Sequence, residues 1–580
     1  MSKQKQNFFE GAFILTIAIA IAKLVGFLYR IPLYNIIEED GIGFYSYAYN
    51  IYSVIYSITV TGFPTAVSKI VAQYASEGRW RDVRRTVKVS RVFLGILGGI
   101  AAVVMIIAAK PYCEFKNNFY AYVSLIALGP SLLFSCFMAT HRGYNQGMSN
   151  MVPTAVSQVV EVIFKALTGL AGSYAAKAFF TAEYASKGTV LGEVQENAAQ
   201  ALVSICALSA AGAMLGVTLS TFAGWLYFVI RRAKHGDGIS REDYVSAPKA
   251  EPGGRILKKV LAVGLPIAFS AAAVSLTGLI DNETVINRLA GCLAKNPAAL
   301  FASHNGVLEL AEKNIEDIPN YLYGVYNIGM PLFNLVPTIT GTFGISVLPH
   351  ITTAWQQRDR RTARINMERA LKLTTLVAAP AGFGIAFLAG PLAKLLFASR
   401  TIGVVLTAPM LTVLGVAAVF VGISGIVNSM LQAVGRVDIP LKLMIIGGII
   451  KLTSNYLLIG IPRFNIKAAP FGNLLCYAVI VVLGLLILIK ATRIRIDLVE
   501  TMIKPMIAGL AAGLSARLVY TAVAVTDRTK VATVAGLAAA VLVYVIMVAV
   551  FGLITEDEAL DFPGGKKLLP LLKKIKIVRR

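Results

Sequence analysis

Charged side chains are scarce in this 580-residue chain, at 15%, whereas 56% of its residues are hydrophobic. That scarcity excludes an ordinary soluble protein, in which about a quarter of residues are charged. Histidine is rarer still. His141, His235, His304 and His350 stand apart, near helix ends or in loops, so neither a histidine metal site nor histidine catalysis has support. The five cysteines (Cys113, Cys136, Cys206, Cys292 and Cys476) show no CxxC spacing and lie mostly in apolar stretches, where a thiol acts as a small hydrophobe. No disulfide framework follows, although Cys113 and Cys292 fall in segments placed outside and could bridge. GxxxxGK[ST] and HExxH are both absent. We therefore expect no catalytic residue, no metal, no cofactor and no enzymatic activity.

What the chain does have is apolar runs. A membrane-spanning helix needs about 20 mainly apolar residues, and in lipid a lone segment satisfies its backbone only as a helix. Such runs cover roughly 9–33, 44–68, 90–109, 119–140, 152–174, 200–230, 257–281, 320–347, 371–393, 403–431, 440–460, 467–490, 503–524 and 531–553. The sequence thus predicts an all-α polytopic membrane protein with about fourteen spans. Its start, basic and then apolar, reads as helix 1 and not as a cleaved signal.

The net charge of +24 sits in short loops and the tail instead of a long stripe, which argues for topology and against nucleic acid. Arg79, Arg81, Arg84, Arg85 and Lys88 begin an alternation that continues through Arg142, Arg231, Arg232, Arg358, Arg360, Arg361, Arg436, Arg493 and the tail lysines. Glu38-Glu39-Asp40 and the 282–319 segment occupy loops of the opposite side. By the positive-inside rule the protein lies in the cytoplasmic membrane of the cell with both termini cytoplasmic.

A repeat recurs after about 280–287 residues: Phe63-Pro64-Thr65-Ala66-Val67 is matched by Phe343-Gly344-Ile345-Ser346-Val347, and Gln146, Pro153 and Lys165 by Gln432, Pro440 and Lys451. The expected organisation is an N-terminal six-helix lobe (1–235), a cytoplasmic linker (236–256) and a C-terminal six-helix lobe (257–492) containing a long external loop (282–319). Helices 13 and 14 (493–554) and a basic cytoplasmic tail (555–580) complete it. Two parallel halves would be related by an axis along the membrane normal, with a central cavity that opens to either side in turn.

Charge at bilayer depth is costly, about 2.5–3.5 kcal/mol on insertion scales, so each deep charge needs a reason. Lys23 in helix 1, Glu161 and Lys165 in helix 5 and Lys451 in helix 11 are the deep ones. Glu161 and Lys165, four residues apart, share a helix face and form either an internal pair or part of a cavity wall. Lys23, Lys165 and Lys451 together would make a positive, hydrated cavity suited to an anionic headgroup such as a diphosphate. Arg30 either snorkels or lines its mouth. Asn50, Asn327, Asn334 and Asn455 serve inter-helix bonding or sugar hydroxyls, and Tyr45, Tyr49, Tyr52 and Tyr56 serve packing or sugar stacking. Asp281 and Glu283 read as solvated rim.

Lys23-Leu24-Val25-Gly26-Phe27-Leu28-Tyr29-Arg30-Ile31-Pro32 on helix 1, Gly41-Ile42-Gly43-Phe44-Tyr45 entering helix 2, Thr61-Gly62-Phe63-Pro64 ending it and Val347-Leu348-Pro349-His350 after helix 8 carry a resemblance. With the six-plus-six-plus-two arrangement they resemble the MurJ/SpoVB branch of the MOP (multidrug/oligosaccharidyl-lipid/polysaccharide) flippase superfamily, over nearly the whole chain. The resemblance implies alternating-access transfer of lipid II, or a related undecaprenyl-diphosphate oligosaccharide, from inner to outer leaflet. It also implies that the basic residues of helix 1, here Lys23 and Arg30, line the cavity, and that helices 13 and 14 form a groove for the lipid tail.

Two departures matter. The basic residue common early in helix 8 of relatives is missing from Tyr323-Gly324-Val325-Tyr326-Asn327, which leaves Lys451 to supply that charge. The sodium site of some relatives does not carry over, because helix 7 lacks a mid-membrane acid and helix 11 carries Lys451. These departures favour the SpoVB-like side of the branch. The expected substrate-binding set is Lys23, Arg30, Asn50, Glu161, Lys165, Asn327, Lys451 and Asn455. Expected partners are the lipid-linked oligosaccharide, membrane lipid and envelope-synthesis proteins. The alternatives are a MATE-like drug or cation exporter and a non-transporting envelope-assembly scaffold.

Overall fold

The computed structural model describes residues 8–116, 118–295, 297, 316–397, 401–524, 529–555 and 578–579. Half of the expected external loop and nearly all of the basic tail lie outside these residues. Each of the fourteen expected spans coincides with helix. In order the helices are α1 (Phe8–Tyr56), α2 (Phe63–Ser76), α3 (Trp80–Phe115), α4 (Tyr122–Gly147), α5 (Val152–Lys187), α6 (Ala198–His235), the short α7 (Arg241–Ser246), α8 (Gly253–Lys295) and α9 (Ile318–Ile328). They continue with α10 (Met330–Gln356), α11 (Arg360–Phe387), α12 (Ala389–Leu396), α13 (Thr401–Ala433), α14 (Ile439–Ile459), α15 (Ala469–Thr492), α16 (Lys504–Val523) and α17 (Thr529–Val550). Among the described residues twelve helical stretches are long and apolar enough to cross a membrane. The first of them, Ile21–Ser76, takes in the end of the first expected span and all of the second, while α10 is not one of the twelve. The protein is a multi-pass, all-helical integral membrane protein.

The helices overrun the expected spans. Residues 282–295, expected in a loop, extend α8, and Glu38-Glu39-Asp40 lies inside α1 instead of in a loop. There the helix is broken: Glu38 has φ 62° and ψ 179°, a conformation that glycine adopts far more readily than other residues. Such a break frees backbone carbonyls that lipid cannot satisfy. Lys177 on α5 answers it, donating to the Ile36 carbonyl at 2.8 Å and to the Glu38 carboxylate at 2.6 Å. Glu39 and Asp40 are buried.

The chain divides into two compact units, Met1–Asn287 with Leu308–Gly324, and Arg288–Val307 with Val325–Arg580. The division falls later than the lobe boundary expected at 236–256. In the first unit α5 packs closely on α6, α3 on α4, and α1 on α5 and α6. The α5–α6 crossing is backbone on backbone: a Cβ on Gly212 would lie 2.4 Å from the Gly172 carbonyl oxygen, and one on Gly216 2.4 Å from the Gly169 Cα. Small residues at such spacing let helices approach in lipid, where no hydrophobic effect drives them together. Ser173 and Ser209 then hydrogen-bond across the seam at 3.0 Å. A two-residue antiparallel pairing, Thr189–Val190 with Glu193–Val194, closes the α5–α6 connection.

The linker after α6 is stitched to the start of α3. Arg84 forks onto Asp237 at 2.6 and 3.1 Å, and Arg79 meets Glu251 at 2.9 Å. Burial opposes ionisation of Asp237, but the Arg84 fork outweighs it and holds the carboxyl below its ordinary range. In the second unit α13 is central, packing against α10, α11 and α15, while α16 lies against α11 and α17. All five cysteines are free and buried, so Cys113 and Cys292 are not bridged.

Candidate functional site

The first unit gathers a cationic and aromatic cluster where α1 meets α5. Tyr29 and Arg30 precede Pro32, and the chain returns past the Glu38 break to present Tyr45 and Tyr49. The Lys165 ammonium on α5 lies 5.2 Å from the Tyr49 ring centroid and 5.8 Å from that of Tyr29. Cation–π attraction of this kind is worth about 0.5–2 kcal/mol and holds an ammonium without cancelling its charge. Arg30 is half-buried, and the hydroxyls of Tyr29, Tyr34, Tyr45 and Tyr49 lie within its electrostatic range. Arg30 also lies within electrostatic range of Lys165.

Glu161 does not cancel them. The expected same-helix pair with Lys165 is replaced by an ion pair with Arg142 of α4 at 2.8 Å, and Arg142 also donates to Ser157 Oγ at 3.0 Å. Arg142, expected in a loop, lies within α4, with its side chain 13% exposed. Because Arg142 takes up the carboxylate, neither cation forms an ion pair of its own among the described residues, although Glu161 stays within electrostatic range of Lys165. The hydroxyls of Tyr29 and Tyr45 are buried and have no hydrogen-bond partner among the described residues. A buried hydroxyl without a partner costs about 1–3 kcal/mol, so a polar ligand or water is the natural complement here.

The tyrosine run forms a continuous ladder. Ring centroids are 6.0 Å apart for Tyr45 and Tyr49, 5.9 Å for Tyr49 and Tyr52, and 5.6 Å for Tyr52 and Tyr56. Asn50, on the same stretch, serves as an inter-helix tie. Its amide donates to Asn282 Oδ1 at 2.9 Å, the Tyr323 hydroxyl at 3.0 Å and the Gly278 carbonyl at 3.3 Å, while Asn282 donates to the Tyr47 carbonyl at 2.9 Å. Lys23 stands apart from the cluster, exposed, two turns before Arg30. Asp281 and Glu283 are not a solvated rim: Asp281 is buried, and Glu283 accepts from Tyr112 at 2.6 Å and pairs with Lys116.

The second unit holds a separate polar group. Lys451 and Asn455, one turn apart on α14, are both buried. Gly472 of α15 admits them: a Cβ there would lie 2.3 Å from Asn455 Oδ1 and 3.2 Å from Lys451 Cγ. Beside it Asn473 donates to the Tyr326 hydroxyl at 2.5 Å. Asn327, next to Tyr326 on α9, is buried, whereas Asn334 on α10 is exposed. Sequence reasoning passed over Arg142, Tyr29 and Gly472. Arg142 looked like one more topological charge, and no spacing rule reports a contact between helices. Among the described residues no group of three or more histidine, cysteine or acidic side chains could hold a metal ion.

Comparison with known proteins supplies the lineage. Residues 8–195 match the family described as "Polysaccharide biosynthesis protein", and residues 335–533 match "Lipid II flippase MurJ". The chain is 22% identical to the lipid II flippase MurJ of Bacillus subtilis, over 78% of this chain and 77% of that one. It is also 22% identical to the stage V sporulation protein B of the same organism, over 96% and 98%. Among solved structures, the fold resembles an inward-facing MATE multidrug transporter with a TM-score of 0.57 and 17% identity, covering 82% of this chain and 99% of that one. It resembles a lipid II flippase MurJ in an inward closed conformation with a TM-score of 0.55 and 16% identity, covering 93% and 98%. Taken with the all-helical fold, these matches make the chain similar to membrane transporters of the MOP superfamily, on the side of its MurJ/SpoVB/polysaccharide-synthesis-like branch.

Proposed function

We propose that this transporter flips a lipid-linked cell-envelope precursor, lipid II or a related undecaprenyl-diphosphate oligosaccharide, from the inner to the outer leaflet by alternating access. The observation that carries the reading is the Lys165 ammonium over the Tyr29 and Tyr49 rings, within electrostatic range of Arg30, with the Glu161 carboxylate held by Arg142. Two cations held beside each other attract a doubly charged anion, and the partnerless Tyr29 and Tyr45 hydroxyls add neutral donors. A diphosphate has the charge and oxygen count to use all four groups. In this reading Lys23 meets the headgroup before Arg30 does, and the Tyr49–Tyr56 ladder offers faces on which sugars stack. Asn50 positions helices of the first unit, and Lys451, Asn455 and Asn327 are enclosed within the second. The tail rides along 493–554, and both termini lie in the cytoplasm.

Native mass spectrometry of the purified protein with lipid II, undecaprenyl phosphate and a lipophilic cation tests this. Selective retention of lipid II that weakens in Arg30→Ala/Lys165→Ala supports the flippase. A MATE-like exporter, which the fold likeness at TM-score 0.57 keeps in view, would retain the cation instead. Retention of neither ligand favours the scaffold.

A further inference from the structure

At the start of α3 a cavity of about 560 Å³ is lined by Arg81, Arg84, Arg85, Lys88, Tyr244 and Val92, among others. The volume lies within the roughly 300–1,000 Å³ typical of small-ligand pockets. Its charges are not spent alike. Arg84 is neutralised by Asp237 and lies over the Tyr244 ring, 4.3 Å from its centroid. Arg81 donates only to neutral groups, the carbonyls of Tyr244 and Val245 at 3.1 and 2.9 Å, and keeps its charge. Arg85 and Lys88 are exposed and make no ion pair among the described residues. Topology alone asks only that basic residues exist at this end of the helix. It does not ask them to converge on a cavity walled by a folded linker, where three positive charges repel one another.

Below the cavity the same helix face turns wholly apolar. Val92, Ile96, Ile100, Val103 and Ile107 follow at helical spacing and are 56%, 59%, 59%, 54% and 71% exposed. A cationic bowl that opens directly onto an apolar stripe matches an amphiphile with an anionic head. Soluble phosphate shares the head chemistry but would leave the stripe unused.

We propose that this cavity binds the headgroup of an anionic glycerophospholipid between α3 and the linker helix α7, with its acyl chains laid along the α3 stripe. Held there, the lipid would join the Arg84–Asp237 and Arg79–Glu251 stitches in fastening the linker to the helix bundle. The site is separate from the Arg30–Lys165 cluster, so it stands whether or not lipid II is the cargo.

The test is native mass spectrometry of the intact protein in detergent, titrated with phosphatidylglycerol, phosphatidylcholine or inorganic phosphate. Phosphatidylglycerol should stay bound where phosphatidylcholine does not, and millimolar phosphate should not displace it. Arg85→Ala/Lys88→Ala should weaken phosphatidylglycerol about thirtyfold, and Lys88→Ala alone about fivefold, as expected for basic residues near an anionic surface. Arg85→Lys/Lys88→Arg should restore binding to within about threefold of wild type. Undiminished binding in the alanine variants, equal retention of phosphatidylcholine, or displacement by free phosphate would each overturn the proposal.

Discussion

Lys165 and Lys451 occupy matching places in the two halves of the sequence repeat, yet the fold treats them differently. Lys165 is half-buried, its ammonium beneath two tyrosine rings and near a second cation. Lys451 is 1% exposed, its stem pressed against the helix that carries Gly472. A repeat preserves position along a helix but not surroundings. One lysine is arranged to present charge, the other to be enclosed, so a transporter built of two similar halves need not bind its cargo symmetrically.

The largest effect should test that contrast on the enclosed side. Lys451→Ala removes a fully buried long side chain and should destabilise the protein by about 2–5 kcal/mol, read as a lowered Tm in detergent. A variant that melts like wild type yet fails to transport would move Lys451 to the ligand side and dissolve the contrast. Lys165→Ala should do the opposite, leaving Tm nearly unchanged. It should weaken binding of a diphosphate-linked lipid about 10–100-fold, the worth of a hydrogen bond to a charged group.

Gly472→Ala sharpens the comparison from the neighbouring helix. Its methyl would collide with Asn455, so we expect a loss of about 1–3 kcal/mol, against no measurable change for Gly26→Ala, where nothing lies within 4 Å. Smaller still is Asn50→Leu, which cuts the tie to Asn282 and Tyr323. A shared hydrogen bond between membrane helices is worth about 0.6–1.7 kcal/mol, and the expected Tm loss follows that figure.

The smallest effect is pH-dependent. Hydrogen bonds from Lys259 first, and from Arg79, hold the Glu251 carboxyl below its ordinary value of 4.5. A depressed carboxyl stabilises the fold above its unfolded pKa and loses that contribution as pH falls through the folded value. The Tm advantage of wild type over Glu251→Gln should therefore be full above about pH 5 and shrink below pH 4.5. An advantage that persists at pH 3 would remove Glu251 from the linker stitch.

The helical spans were legible because lipid imposes one rule on the whole chain. Every backbone group must be satisfied within a segment, so length and apolarity announce a helix wherever it lies. Lys165 and Lys451 were legible as unusual for the same reason, since charge at depth is costly. The misreadings share a cause as well. Glu38, Glu39 and Asp40 looked like a solvated loop, as acids in a row usually are, and nothing nearby in sequence announced that Lys177 would reach them. For Glu161 the sequence offered only the lysine four residues on as an ion-pair partner, because same-helix spacing is all that a sequence displays, whereas its ion pair is with Arg142 of the preceding helix.

The sequence by itself determined that this is a polytopic helical membrane protein, where its helices run and which charges are out of place, because hydropathy and insertion cost act locally along the chain. Only the tertiary structure decided which charges remain available, that Glu161 belongs to Arg142, that Asn50 is a tie and that Lys451 is enclosed. Those outcomes depend on how helices rotate and how closely they cross, which is set by small residues such as Gly172, Gly212 and Gly472 acting between segments far apart in the chain.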